Sequence, residues 1–412
     1  MKLMDRIKSG LFRRVVTLRN LNEWWSTGHM SDAGELVGGK DALTIGAVWA
    51  CVNLVAGTSA SLPLDVRRRD SAGVVRTDPT HPLSGLLQES PNFDQTAMDF
   101  WEFMFASLEL WGNAYAQILR SGSRVTSLVP IAPDAVQARR LQSGSIEYSW
   151  TDDNGSSFVK PDTNVFHIRG FGGSPLGGLS TLSYARHAFG LARAIDRAAG
   201  KTFANGLRPS GVLSFKEFLS QENRSIARND LIEQFAGAHN AGKPMILEGD
   251  ASWTSLSINP EDAQMLESRG FSVEDICRFF GVPPFMIGHT EKSTSWGTGL
   301  EQQTLGFQKY TLRRRLRRVE QAVEKQLLTG AERARGIGVK FAIEGLLRAD
   351  SAARAAYYRE MTSIGAMTIN EVRALEGLPP VAGGEVPRMQ MQNVPITEAG
   401  IGHNGGPPME GA

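Results

Sequence analysis

Apolar positions recur every three to four residues over much of the chain, with short stretches of period two between them. The longest organised run covers residues 261–328. Ala263, Leu266, Phe271, Ile276, Phe279 and Phe280 mark a first helix ending at Gly281-Val282-Pro283-Pro284, where glycine permits a stop and the prolines forbid continuation. A polar stretch almost without aliphatics follows, 288–297. A second helix opens at Thr298-Gly299-Leu300-Glu301, a capping-box pattern, and runs to about Leu328, roughly 45 Å at 1.5 Å per residue. Within it Leu312, Leu316, Val319, Val323 and Leu327 step by four, three, four and four, which makes one apolar stripe.

The rest of the chain reads as alternating blocks. A helix is expected over 42–62, carrying Leu43, Val48, Val52, Val55 and Ala56, and then a hairpin built from Leu64–Arg69 and Val74–Arg76. A short helix at 81–87 precedes one at 96–111, whose Phe100, Trp101, Phe103, Met104 and Phe105 read as core. Strands are expected at 113–118, 127–131, 135–139, 146–150 and 165–169, with antiparallel pairing dominant, an α+β unit. The glycine-rich link 170–178 leads to an alanine-heavy helix at 180–205. Between 209 and 259 lies an inserted module: strands at 211–215, 245–247 and 253–258, and a helix at 221–239. A strand at 339–343 and helices at 350–364 and 369–376 come last, the final one with its own Thr368…Glu371 box, before a Gly/Pro/Gln/Asn-rich tail expected to be disordered.

A formal net charge of +1, from 44 basic and 43 acidic residues, argues against a firm grip on phosphates. Any nucleic-acid contact is expected to be loose, local and indifferent to sequence. The two cysteines, Cys51 and Cys277, sit in apolar helical contexts and read as buried, reduced thiols; their number excludes a disulfide framework or a cysteine metal site. No apolar run reaches the ~18 residues of a membrane span, and the N-terminus lacks the apolar core of a signal peptide, so an intracellular protein is expected. Residues 1–21 mix basic and apolar positions, as a peripheral arm packed on a neighbour or as a membrane-surface helix.

No catalytic, cofactor or metal motif emerges. Residues 237–244, Gly-Ala-His-Asn-Ala-Gly-Lys-Pro, nearly spell a phosphate-binding loop, but Pro244 replaces the hydroxyl residue that would hold Mg²⁺, and the segment follows a helix instead of a strand. Two features can meet a polyanion. Arg313, Arg314, Arg315, Arg317 and Arg318 fan around Leu316, either for phosphate or for ion pairs to neighbouring subunits and helix ends. The loop His289, Thr290, Glu291, Lys292, Ser293, Thr294, Ser295, Trp296 offers one lysine, hydroxyls and an indole, a set suited to weak, interchangeable contacts with a moving strand.

In order along the chain, Val48-Trp49-Ala50-Cys51-Val52, Trp111-Gly112-Asn113-Ala114-Tyr115, Phe166-His167-Ile168-Arg169-Gly170, Gly173-Ser174-Pro175-Leu176, Phe279 to Gly288 and Asn370-Glu371-Val372-Arg373 resemble the portal proteins of tailed bacteriophages, of the HK97 type. Trp296 stands where the family pattern has tyrosine. The resemblance implies a portal fold with wing, α-helical stem, α/β clip and helical crown, assembled as a ring, as a rule dodecameric, at one capsid vertex. It divides the chain into an N-terminal arm (1–41), wing (42–179), stem helix (180–207), clip (208–259), second stem helix (260–287), tunnel loop (288–298), long wing helix and strand (299–347), crown (348–380) and tail (381–412). It further implies double-stranded DNA passing through the ring, with the major capsid protein, the terminase large subunit and the head–tail adaptor as partners and no membrane. The protein is then a virion component assembled in the host bacterial cytoplasm, without enzyme activity or cofactor. The competing reading is an ATP-dependent nucleic-acid-processing enzyme, which needs the phosphate loop that Pro244 breaks.

Overall fold

The computed structural model describes residues 29–71, 73–152, 154–204, 211–214, 220–222, 252–255, 260–290, 298–343 and 351–387. The arm 1–28, most of the inserted module, including its expected helix and the strand 245–247, the loop core 291–297 and the tail from 388 lie outside these. The chain forms two units, 1–341 and 342–412.

In the first unit a small hairpin, β1 (His29–Met30) and β2 (Leu36–Val37), precedes α1 (Gly39–Leu43) and α2 (Gly46–Ala60). The helix expected over 42–62 is thus two pieces, broken at Ile45, whose backbone is extended. Next come β3 (Leu64–Arg69), β4 (Val75–Thr77), α3 (Pro82–Gln88) and α4 (Ala97–Trp111), the last capped reciprocally by Thr96 and Asp99. Six strands follow: β5 (Asn113–Ser121), β6 (Arg124–Ile131), β7 (Gln137–Arg140), β8 (Ile146–Thr151), β9 (Ser157–Pro161) and β10 (Val165–Arg169). They make two antiparallel sheets, ordered β10-β5-β6 and β7-β8-β9. Helices α5 (Thr181–Tyr184) and α6 (Arg186–Ala204) divide the expected 180–205 helix at Ala185. β11 (Gly211–Ser214) pairs antiparallel with β12 (Ser252–Ser255), which closes the base of the inserted module as a two-stranded sheet.

Helix α7 (Pro260–Phe280) then leads through a single 3₁₀ turn, Pro284–Ile287, toward the second long helix. That helix is not uniform. It comprises α8 (Thr298–Gly306), a π-helical stretch at Phe307–Leu312 and α9 (Arg313–Gln326). Phe307, Thr311 and Leu312 of the π stretch are all buried. Downstream, Leu316, Val319, Val323 and Leu327 are buried, as the sequence stripe requires. α10 (Gly330–Ala334) and β13 (Ile337–Phe341) end the unit. β13 pairs with β3, so the β3–β4 hairpin is completed from more than 250 residues away.

The aromatic stripe of α4 is the core. Trp101 meets Phe100 edge-on at 5.1 Å and lies within 6.5 Å of Phe166 and Phe341, and its indole N–H donates to the Leu87 carbonyl (3.0 Å). Cys51 on α2 and Cys277 on α7 are buried free thiols with sulfurs 3.9 Å apart; their mutual hydrogen bond and burial push Cys51 up from its ordinary pKa. Ala185 at the break and Ala192 and Ala199 of α6 are buried at heptad spacing, and Phe189 stacks on Phe280 of α7. The β1–β2 hairpin lies on α6, where Arg193 donates to the Leu36 carbonyl (2.6 Å) and Arg197 pairs with buried Glu35 (2.7 Å).

In the second unit, α11 (Ser351–Ser363) and α12 (Ile369–Leu375) are tied by Arg354–Glu376 and by Tyr358 Oη donating to Glu376. The expected Thr368/Glu371 capping box is formed.

Candidate functional site

The site is the path from α7 through the polar loop into the second long helix. Gly281 stops α7 with φ +65°, and its N–H donates to Arg278. Gly288, at φ +83°, ends the 3₁₀ turn, and the His289 N–H donates to the Pro284 carbonyl (3.1 Å). The chain therefore enters the loop from a fixed base. His289 is the first loop residue, partly buried, with Nε2 3.9 Å from a Glu274 carboxylate oxygen; Thr290 is exposed. Glu291, Lys292, Ser293, Thr294, Ser295 and Trp296 lie outside the described residues, as do the side chains of Thr298 and Glu301.

The return side is fixed by the π stretch. Thr311 Oγ1 donates to the Gly281 carbonyl (2.7 Å). One turn on, the Arg315 guanidinium holds Glu109 of α4 bidentately (2.5 and 2.6 Å) and donates to the carbonyls of Phe280 (2.9 Å) and Thr311 (3.1 Å). One cation thus joins α4, the C-terminus of α7 and the π stretch. Its charge also faces the negative end of α7.

The five arginines separate by environment. Arg315 is consumed inside the chain, partly at a helix end. Arg317 pairs with Glu320 (3.0 Å), whose other oxygen accepts the Phe341 N–H. Arg313 and Arg314 are exposed. Arg318 is partly buried, and burial together with the nearby Arg314 and Arg315 guanidiniums pulls it below its ordinary pKa. A signal for Arg315 existed in the sequence: Glu109 lies between Leu108 and Leu110 near the end of a largely apolar helix, and a buried acid needs a cation.

Two devices behind the site fall on motifs whose physical role the sequence did not reveal. The first is a backbone crossing of Gly112, Gly170 and Gly178. The Gly170 N–H donates to the Gly112 carbonyl (2.7 Å), and a Cβ at Gly112 or Gly178 would overlap another strand's backbone. The second is a buried polar chain. The Asn113 amide pairs with both the N–H and the C=O of Gly178. Its Oδ1 also accepts from His167 Nε2 (3.0 Å), so His167 is the Nε2–H tautomer and its Nδ1 accepts from Tyr148 Oη (3.0 Å). Burial, then the Arg169 charge, push His167 down to about 3. The Gln326 amide pairs in the same way with the backbone N–H and C=O of His167 (2.9 Å each).

Among the described residues no three His, Cys, Asp or Glu side chains converge as metal ligands, and no helix is long and apolar enough to cross a membrane. The working parts are long helices and the clamps that hold the two ends of the polar loop.

This fold is shared with a chain from the neck of an empty gene transfer agent (GTA) particle: TM-score 0.63, 24% identity, 83% of this chain and 94% of that one covered. The chain belongs to the phage portal protein family, whose sequence model matches residues 46–377. It is 35% identical over 411 residues to the portal protein of Enterobacteria phage HK97, covering 94% of this chain and 96% of the relative. It is 30% identical over 373 residues to the probable portal protein of Streptomyces phage phiC31, covering 87% and 80%.

Proposed function

We propose that twelve copies of this chain form the ring at a capsid vertex through which double-stranded DNA is packaged and ejected. The observation that carries this reading is the base of the polar loop, where Thr311 and Arg315 of the return helix are bonded to Gly281 and Phe280 at the end of α7. A polar loop emerging from so rigid a base is suited to line an opening and touch a passing polyanion without gripping it. The net charge of +1 supports the same conclusion, since a strongly basic lining would retard translocation.

In this reading residues 42–179 and 299–347 are the wing, 180–207 and 260–287 the stem, 208–259 the clip, 288–298 the tunnel loop and 348–380 the crown. The clip docks the terminase large subunit during packaging and a head–tail adaptor afterwards; the wing faces the major capsid protein. The ring is assembled in the host bacterial cytoplasm and remains in the virion. The ring has no catalytic role, and the energy for translocation comes from the terminase.

Native mass spectrometry of the purified protein tests the assembly. The expected result is a closed species of about twelve subunits with a central hole in negative-stain images. A species that stays monomeric even with capsid and scaffold proteins present overturns it. The ATP-driven alternative gains support only from steady ATP hydrolysis by the pure protein that is lost on changing Lys243.

A further inference from the structure

A turn and a cavity at opposite ends of α4 remain unused by the site above. Phe93 is 91% exposed, yet its turn is rigid. Buried Asn92 donates to the Leu128 carbonyl (3.0 Å) and to Gln95 Oε1 (2.9 Å), while its own Oδ1 accepts from the N–H groups of Asp94 and Gln95. Ser90 Oγ donates to the carbonyls of Asn92 and Gln95. The folded chain therefore holds the backbone that presents this aromatic side chain to solvent, with exposed Met98 and the carboxylates of Asp94 and Asp99 close by in sequence. A preorganised aromatic loses little freedom on binding and is a typical interface anchor.

Beyond the other end of α4, about 22 Å away at 1.5 Å per residue, is a cavity of about 560 Å³. Phe171, Leu179, Tyr184 and Phe279 give it an apolar lining, with Phe171 74% exposed. Arg314 and Arg318 stand at its edge, and neither forms a hydrogen bond or ion pair among the described residues, because the carboxylate of Glu109 is taken by Arg315. The cavity is thus apolar inside and in excess of positive charge; the turn is apolar at its tip and flanked by negative charge. The two are complementary, and their separation prevents a chain from filling its own cavity.

We propose that Phe93 of one copy enters the Phe171–Tyr184–Phe279 cavity of the next, with Asp94 facing Arg314 and Arg318. Two different patches on one subunit make a head-to-tail contact, which propagates from copy to copy instead of ending at a dimer and gives a ring when its rotation closes. This rests on the ring reading above and adds the contact that drives it.

The test uses the full chain with Phe93→p-benzoylphenylalanine, irradiated after assembly, and peptide mapping of the covalent dimer. The expected crosslinks fall in 170–184 or at Phe279 of the other copy. Rings with crosslinks elsewhere on the neighbour, on another protein, or with none, overturn the contact while leaving the ring reading intact; absence of rings in the wild-type chain overturns both. Charge reversal gives a second readout. Asp94→Arg and Arg314→Glu should each lower the ring-to-monomer ratio at least about tenfold. Together they should restore it; two singles without effect, or a double no better than either, would remove Asp94 and Arg314 from the interface.

Discussion

At the scale of single residues, the most consequential side chains are polar ones that the core encloses. Arg315 and Glu109 are a buried bidentate pair, and such a pair specifies geometry more than it adds net stability: loss of one partner leaves an uncompensated charge, at a cost of about 3–5 kcal/mol. His167 makes the pH argument. In the unfolded chain it titrates near 6.5 and in the folded one near 3, so the unfolded state binds the extra proton between those values. Above about pH 6.5 the shift costs folding nothing, and as pH falls toward 3 the penalty grows to about 5 kcal/mol at most. His167→Gln should lower Tm at pH 7 yet show a smaller further drop between pH 7 and pH 4 than the wild type, by differential scanning fluorimetry. Equal drops would mean that His167 is not the group responsible. The motif Phe166-His167-Ile168-Arg169-Gly170 marked the segment but gave His167 no role; Asn113 reaches it through the β10–β5 pairing and Tyr148 from the other sheet.

At the scale of elements, period-two and period-3.6 patterns located most helices and strands. The apolar stripe Leu312–Leu327 was legible because α9 is strongly two-faced against the sheets. β9 was not: along Ser157–Pro161 exposed and half-buried residues alternate, so apolar contrast is weak. The π stretch was missed because it leaves the downstream stripe in phase and the helix before it has little amphipathic signal. The glycine motifs looked like separate turn markers, and only the fold shows that Gly112, Gly170 and Gly178 cross one another. Gly112→Ala combines a left-handed φ of +67° with overlap on the Leu179 carbonyl. It should cost well over the roughly 1–2 kcal/mol of the backbone conformation alone. Gly57→Ala, inside α2 with nothing within 4 Å of the new Cβ, should instead be neutral or stabilise by about 0.5–1 kcal/mol. Chemical denaturation of the two variants distinguishes a crossing that cannot yield from a merely permissive glycine; equal stabilities would refute it.

At the scale of the whole molecule, the order of motifs from Val48 to Arg373 pointed to the family, whose match spans 46–377. Deleting Lys292 to Trp296 should leave ring assembly intact, since the clamps at Gly281, Thr311 and Arg315 lie outside the deletion, while DNA packaging or retention falls sharply. The readouts are native mass spectrometry and nuclease-protected DNA per particle. Loss of rings in that variant would make the loop an assembly element instead.

The Gln326 amide has a consequence for behaviour at high local concentration. β10 borders its three-stranded sheet, and an open border of that kind invites strands from other molecules. By offering one donor and one acceptor to His167, the side chain counterfeits a neighbouring strand one residue long and, with α9 lying alongside, blunts the border. Copies of this chain crowded onto one vertex are thereby steered away from cross-strand aggregation and toward whatever contacts their side chains specify.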